Sequence, residues 1–283
     1  MAKISVIGIC GNSIFMSADH FHQKGETIVA DKCFEEIGGK GINQAIAAAR
    51  MGARVSFLAA IGDDAVGKLC KETAKKENIN GYFAIKKGEK TTFAFILTDK
   101  NGENRVTEYV GAELTTEDVF SFENEIKESD ILLIQQEVPD LVNETAVNIA
   151  KKYGVKVILN PAPIREISNN IAENVFLVTP NEQESKAIKI NQFKNCITTL
   201  GSKGVLINGK TVIPAPKVNV VDTTGAGDTF NGVLSTLIAD GKDLVSASEY
   251  AVTAASISVS KPNVLTAIPT KDEIEKYLKV NIL

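Results

Sequence analysis

The chain has 283 residues, 44% of them hydrophobic, and a formal net charge of -4. That length supports one substantial core, or a main body with a small appendage. The acidic balance, with basic residues scattered rather than gathered in a tract, excludes nucleic acid and an anionic membrane surface as main partners.

Ile4–Ile9 reads as an opening buried strand. Partly alternating stretches follow at Thr27–Val29 and Cys33–Glu36, then an alanine-rich helix over Ile42–Met51. Arg54–Leu58 is a second apolar strand, and Ala65–Asn78 has helical spacing. Phe83–Lys86, Thr91–Leu97 and Arg105–Tyr109 read as strands, with Asp99-Lys100-Asn101-Gly102 as a hairpin signal. From about Asp118 the rhythm is regular: helix Val119–Lys127, strand Ile131–Ile134, helix Leu141–Tyr153, strand Val155–Leu159 and strand Val175–Val178. Long helices alternating with short, wholly apolar strands predict a parallel sheet covered on both faces. Lys217–Val221 reads as one more strand, and helices at Thr229–Asp240, Leu244–Ser260 and Lys271–Leu278 close the chain. The early β-rich stretches do not fit this rhythm. They predict a small sheet beside the main body, built from segments near 10–36 and 83–110, with residues 1–283 forming a single domain.

Four cysteines, Cys10, Cys33, Cys70 and Cys196, are far apart and lack metal-ligand spacing, which points to buried reduced thiols. No run approaches the ~20 apolar residues of a membrane span, so a cytoplasmic protein is expected.

Two motifs carry chemistry. In Val220–Gly232 (VVDTTGAGDTFNG) a small-residue turn, Gly225-Ala226-Gly227, precedes a helix, with Asp228 at the turn's end. Glycines let successive backbone amides face one concavity, and a helix N-terminus adds unpaired donors and partial positive charge. Such a pocket draws phosphate. A carboxylate beside it repels a resting anion, so its natural task is to take a proton from an attacking hydroxyl. The same Asp228 is also what a dipole-complementing helix start would show. The second motif is Gly38-Gly39-Lys40-Gly41-Ile42-Asn43-Gln44-Ala45, where glycines allow close approach of a polar ligand and Asn43 offers both a donor and an acceptor. A phosphate loop of the GxxxxGK[S/T] type is absent from the chain. Gly8-Ile9-Cys10-Gly11 lacks the third glycine and following helix of a dinucleotide fingerprint.

GGKGINQA and DTTGAGDTFNG, in this order and far apart, resemble the paired signatures of the ribokinase-like (PfkB) family of carbohydrate kinases. Ile134-Gln135-Gln136-Glu137, Asn160-Pro161-Ala162-Pro163, Thr179-Pro180-Asn181-Glu182-Gln183-Glu184 and Thr198–Gly204 are similar to intervening family markers. The resemblance implies an α/β three-layer sandwich with a mostly parallel central sheet and a β-sheet lid. It also implies ATP-dependent transfer to a hydroxyl of a small carbohydrate, with Mg2+ as cofactor. Asp228 would be the base, and the amides of Gly225, Ala226 and Gly227 the anion hole. Ser13, Gly39, Lys40, Gly41, Asn43 and Glu137 would hold the acceptor. Thr199, Gly201, Ser202, Gly204 and Gly227 would meet the nucleotide, with Asn181 and Glu184 acting through magnesium. Asp222 and Thr224, with carbonyls of Ser258, Lys261 and Asn263, match a potassium site of the family. Taken alone, Glu137 also reads as a solvated strand end and Asn181 as an N-cap.

The chain departs from the pattern twice. Ser13 stands where the family carries a sugar-gripping aspartate, and Gly11 where asparagine is usual, so D-ribose itself does not follow. The 185–195 segment is too short for the usual helix and strand, which leaves nucleotide choice open and predicts a mere turn before a strand at Cys196–Leu200. The alternative acceptor is a nucleoside, its base against Phe15, Met16, Phe93 and Phe95, with His20 nearby. A non-catalytic ligand-binding regulator on the same fold is a second alternative. Exposed lid edges predict a homodimer.

Overall fold

In this computed structural model, residues 1–281 are described. β1 (Lys3–Ile7) leads to β2 (Gly11–Ser17), β3 (Lys32–Gly38), α1 (Lys40–Arg50), β4 (Arg54–Gly62), α2 (Ala65–Lys76) and β5 (Asn80–Lys86). The hairpin β6 (Phe93–Thr98) and β7 (Asn104–Tyr109) precedes α3 (Thr116–Ser121), α4 (Glu123–Lys127), β8 (Ile131–Gln135), α5 (Asp140–Tyr153), β9 (Lys156–Asn160), α6 (Asn169–Asn174) and β10 (Leu177–Val178). The remainder holds α7 (Glu184–Ala187), β11 (Ile197–Thr199), β12 (Val205–Ile207), β13 (Thr211–Ile213), α8 (Ala226–Ala239), α9 (Leu244–Ser258) and α10 (Lys271–Asn281).

Six strands form a parallel sheet in the order β10-β9-β8-β1-β4-β5. Alternation along each strand sends side chains to opposite faces. Ile4, Val6, Ile131 and Leu133 join a core under α1, α2, α8, α9 and α10. Ile7, Leu132 and Ile134 join a second core under α3–α6. Helices on both faces make the layered α/β arrangement that the apolar strands demand. β11, β12 and β13 form a small antiparallel sheet, joined to the end of the main sheet by isolated bridges Val178 to Cys196 and Asn181 to Thr199. A third sheet, ordered β3-β2-β6-β7, stands apart as an outer sheet over the main sheet's edge.

Several expectations need correction. Phe83–Lys86 is not in the outer sheet; it is part of β5, paired to β4 at the edge of the main sheet. An edge strand is half-exposed and alternates like an outer-sheet strand, so the pattern cannot separate them. Thr27–Val29 forms no strand. Lys217–Val221 is extended without a ladder: Pro214 and Pro216 remove two donors after β13, and the Val221 and Asp222 amides both donate to the Val259 carbonyl, tying the segment to the end of α9. The helix read over Val119–Lys127 is two, α3 and α4, parted at Phe122, whose side chain is buried. Three of the cysteines are buried, whereas Cys33 is exposed on β3. The 185–195 segment is the short turn expected, a single helical turn α7 and a 3-10 turn over Ile190–Gln192.

The pairing of α1 with α8 positions the site. A Cβ on Gly232 would lie 2.4 Å from the Gln44 carbonyl oxygen and 2.5 Å from the Ala47 Cβ. Gly41 approaches Gly8 as tightly, its added Cβ falling 2.7 Å from the Gly8 Cα. The helices touch backbone to backbone, so short polar side chains on one can reach the other. Gly232→Val is expected to cost about 1–3 kcal/mol through overpacking, read as a lower urea midpoint with unchanged slope.

Candidate active site

α8 begins at the bottom of a groove between the main sheet and the outer sheet. Gly225 caps it with φ 74° and ψ 1°, the left-handed conformation that glycine adopts freely, and no side chain caps the first turn. A Cβ on Gly225 would also strike the Val264 Cγ1 at 2.5 Å. A Cβ on Gly227 would meet nothing within 4 Å, so the chain at this position borders open space. Two cavities flank this turn. One of about 300 Å³ is lined by Thr224, Gly225 and Asp228 together with Ser13, Gly39, Lys40, Asn43 and Glu137. The other, of about 620 Å³, is lined by Ala226 and Gly227 together with Thr199, Gly201, Ser202 and Gly204. Residues as far apart in sequence as Ser13 and Asp228 thus meet around one helix start.

Asp228 sits at the floor of the first cavity. Its Oδ2 accepts from the Asn43 Nδ2 at 3.0 Å and its Oδ1 from the Gln44 Nε2 at 3.0 Å. Gln44 also donates to the Asn160 Oδ1 at 3.1 Å and accepts from the Gln135 Nε2 at 2.8 Å. On the far side the Asn231 Nδ2 donates to the Gly227 carbonyl at 2.8 Å, and Thr179 donates to Asn231 at 2.6 Å. Side-chain amides from α1, β8, β9 and α8, with the Thr179 hydroxyl, therefore hold both ends of the turn. Burial pushes the Asp228 carboxyl above its usual range, against the Lys40 ammonium and the Gln44 and Asn43 amides, which favour the ionised form.

Glu137, at the end of β8, faces α1. Its Oε2 accepts the Lys40 amide at 2.8 Å, and its Oε1 lies 3.3 Å from the Lys40 Nζ. Burial pushes the Glu137 carboxyl up to about 7; Lys40 pulls it down and the Asp228 charge pushes it further up. Burial pulls the Lys40 ammonium down, but Glu137 and Asp228 outweigh this and leave it raised.

Asn181, bridged to Thr199 of the second cavity's wall, and Glu184 bind each other, and neither lines either cavity. The Glu184 oxygens accept from the Asn181 amide and Nδ2, both at 2.8 Å, while the Asn181 Oδ1 accepts the Glu184 amide at 2.8 Å. This is the reciprocal cap of a helix start. Burial pushes the Glu184 carboxyl up, opposed by the Asn181 amide and the Lys40 charge. Among the described residues no group of three or more His, Cys, Asp or Glu could hold a metal. One buried carboxylate fits an ion held mainly by phosphates and water, as magnesium commonly is. At the end of α9, the Asp222 Oδ1 accepts the Thr224 amide at 2.9 Å, and Asn263 has φ 67°. Burial, with a smaller push from the Asp222 charge, raises the Glu36 carboxyl against the Val264 and Leu265 amides, and a carboxylate near helix-terminal carbonyls fits a monovalent cation.

Some residues fall elsewhere than expected. Gly41 is buried against Gly8 and lines neither cavity; its need is packing space. Phe15 and Phe93 line the first cavity, whereas Met16 and Phe95 do not, and His20 is exposed between Asp19 and Glu26. Gln44, Gln135, Asn160, Thr179 and Asn231 act as supports that the sequence did not single out, although Gln44 and Asn231 lie inside the two motifs. Glu36 and Glu108, outer-sheet carboxylates on the cavity wall, were not singled out either. The β-strand alternation of Cys33–Gly38 and Asn104–Tyr109 was the available signal.

The comparisons agree with this geometry. A family model described as pfkB family carbohydrate kinase matches residues 1–271. The chain is 36% identical to a ribokinase of Haemophilus influenzae over 300 residues, covering 98% of each. The crystal structure of ribokinase from Thermotoga maritima superposes with a TM-score of 0.89 at 34% identity, covering 99% of this chain and 100% of that one. The structure of Arabidopsis thaliana ribokinase complexed with ribose and ATP superposes with a TM-score of 0.85 at 28% identity, covering 99% of each.

The raised Glu137 has a consequence for stability. Between its ordinary value of 4.5 and about 7, the folded protein holds a proton that the unfolded chain releases. Stability of the ligand-free protein is therefore expected to fall as pH rises through that window. Glu137→Gln should flatten the slope in urea titrations at several pH values; an unchanged slope would remove Glu137 as its source.

Proposed function

The chain belongs to the pfkB family of carbohydrate kinases and transfers a phosphoryl group from ATP to a sugar hydroxyl, and we propose that Asp228 takes the proton from that hydroxyl. The observation that carries this reading is the turn at Gly225–Asp228, which separates two cavities and belongs to both. A sugar in the smaller cavity and a triphosphate in the larger one would meet across it.

The acceptor lies against Gly39, Lys40, Asn43 and Glu137, with Ser13 on the outer sheet. Asp228 is held by the Asn43 and Gln44 amides with its carboxylate toward the bound hydroxyl. Its burial raises its basicity, and a base nearer the operating pH is the more effective one. The amides of Gly225, Ala226 and Gly227 stabilise charge on the phosphoryl group in transit, where such donors contribute most. The adenine end of ATP occupies the larger cavity near Thr199, Gly201, Ser202 and Gly204. Mg2+ bound with the phosphates would supply charge neutralisation there, and Glu184 and Asn181 are the residues that would hold it. K+ beside Asp222 and Thr224, on carbonyls of Ser258, Lys261 and Asn263, would steady the start of α8.

The outer sheet acts as the lid over the acceptor, excluding water that would otherwise take the phosphoryl group. One kinase domain spans the chain, and a cytoplasmic setting suits an enzyme that consumes ATP. No helix among the described residues is long and apolar enough to cross a membrane. The lid exposes Phe95 on the face opposite Ala94, and its edges β3 and β7 are unpaired, which supports a homodimer formed lid to lid.

Asp228→Asn is expected to lower kcat by ~10²–10⁴-fold while ATP binding, followed by calorimetry, stays intact. Turnover at the wild-type rate would refute the base. Light scattering coupled to size-exclusion chromatography is expected to give the mass of two chains; a monomer would dispose of the lid-to-lid pair.

A further inference from the structure

The outer sheet turns two rows of side chains toward the acceptor cavity. Register aligns Glu36 on β3, Ser13 on β2, Ala94 on β6 and Glu108 on β7 across the sheet, and all four line the cavity. Residues two apart share a face, so the next row on that face is Phe34, Phe15, Ile96 and Val106, wholly apolar. The polar row is the nearer to Asp228, because β3 enters α1 just beyond Gly38.

The two carboxylates of the polar row are not equivalent. Glu36 is engaged: its oxygens accept the Val264 amide at 2.8 Å and the Leu265 amide at 3.2 Å, tying β3 to the loop after α9. Glu108 takes no hydrogen bond or ion pair among the described residues, and its charge acts on Lys40 across the cavity. Between them, Ser13 ends in a hydroxyl and Ala94 in a methyl, so the middle of the row is open space. Neighbouring strands lie about 4.8 Å apart, which puts Glu108 roughly 10 Å across the sheet from Ser13. The cavity wall as a whole holds Glu36, Glu108, Glu137 and Asp228 against one cation, Lys40, which is paired to Glu137. No arginine lines it.

We propose that Glu108 is a specificity-determining residue, which accepts hydrogen bonds from acceptor hydroxyls remote from the reacting one and selects neutral sugars against sugar acids and sugar phosphates. This rests on the kinase reading above. A free carboxylate accepts from two neighbouring hydroxyls at once, and the same charge repels an anion that has no unpaired cation to meet. The apolar row beyond covers the carbon side of the sugar.

The test uses Glu108→Gln, an exposed strand position at which the fold is expected to survive, checked by an unchanged Tm. D-ribose and D-glucose are compared with their acids, D-ribonate and D-glucuronate, by ATP-coupled kinetics and by calorimetry. For the neutral acceptor, KM and Kd should rise about tenfold, the scale of one lost charged hydrogen bond. The kcat and the KM for ATP should stay within about twofold, and the acids should bind the variant better than the wild type. An unchanged KM and Kd for the neutral sugar, or a wild-type preference for an acid, overturns the role of Glu108 and leaves the kinase reading standing. A wild-type protein that binds ATP yet neither binds nor phosphorylates any neutral sugar overturns the kinase reading and Glu108 with it.

Discussion

Asp228 is a carboxylate placed where burial disfavours its charge, and the architecture around it exists to make that tolerable. Two side-chain amides from α1 hold its oxygens, a lysine from the same helix supplies opposite charge, and Gln135 and Asn160 fix the orientation of Gln44. A buried polar network is costly when partly satisfied and rigid when complete. None of it works unless α1 and α8 lie backbone to backbone, which requires the bare Cα of Gly232 against the Gln44 carbonyl. A packing constraint at one end of a helix pair thus sets the chemistry at the other.

The same helix start divides space. A single turn of chain presents Gly225 and Asp228 to one cavity and Ala226 and Gly227 to the other, so one set of amides can touch donor and acceptor together. The flanking segment from Pro214 to Val221 has no ladder partner, and Val218 and Val220 wall the larger cavity instead of entering a sheet. Without a ladder to keep straight, and held at its end by the Val221 amide on the Val259 carbonyl, that segment follows the cavity's outline.

The outer sheet adds a polar row close to Asp228 and an apolar row beyond it. Its attachment is electrostatic as well as covalent: Glu36 clamps the backbone of Val264 and Leu265, beside the left-handed Asn263 and within reach of the Asp222 charge. The outer sheet and the loop that ends α9 are therefore tied directly to each other. A substitution at Glu36 would be felt on both sides of the α8 turn.

Periodicity alone was enough for the parallel body, because strands buried on both faces must be apolar throughout and their covering helices must recur. The glycine turn with its terminal carboxylate, and the Gly-Gly-Lys-Gly start of α1, were legible because backbone geometry and helix-end electrostatics restrict which residues can stand there. What the order of residues could not disclose is anything that depends on which strand lies beside which. Phe83–Lys86 joined the main sheet rather than the outer one, Val218 and Val220 lined a cavity rather than a ladder, and Gly41 met Gly8 rather than a ligand. Glu36 and Glu108 became one row only through the register of four strands drawn from two distant segments. Local pattern determines an element's type, because it reports the solvent each side chain must avoid; neighbours are chosen by the packing of the whole chain.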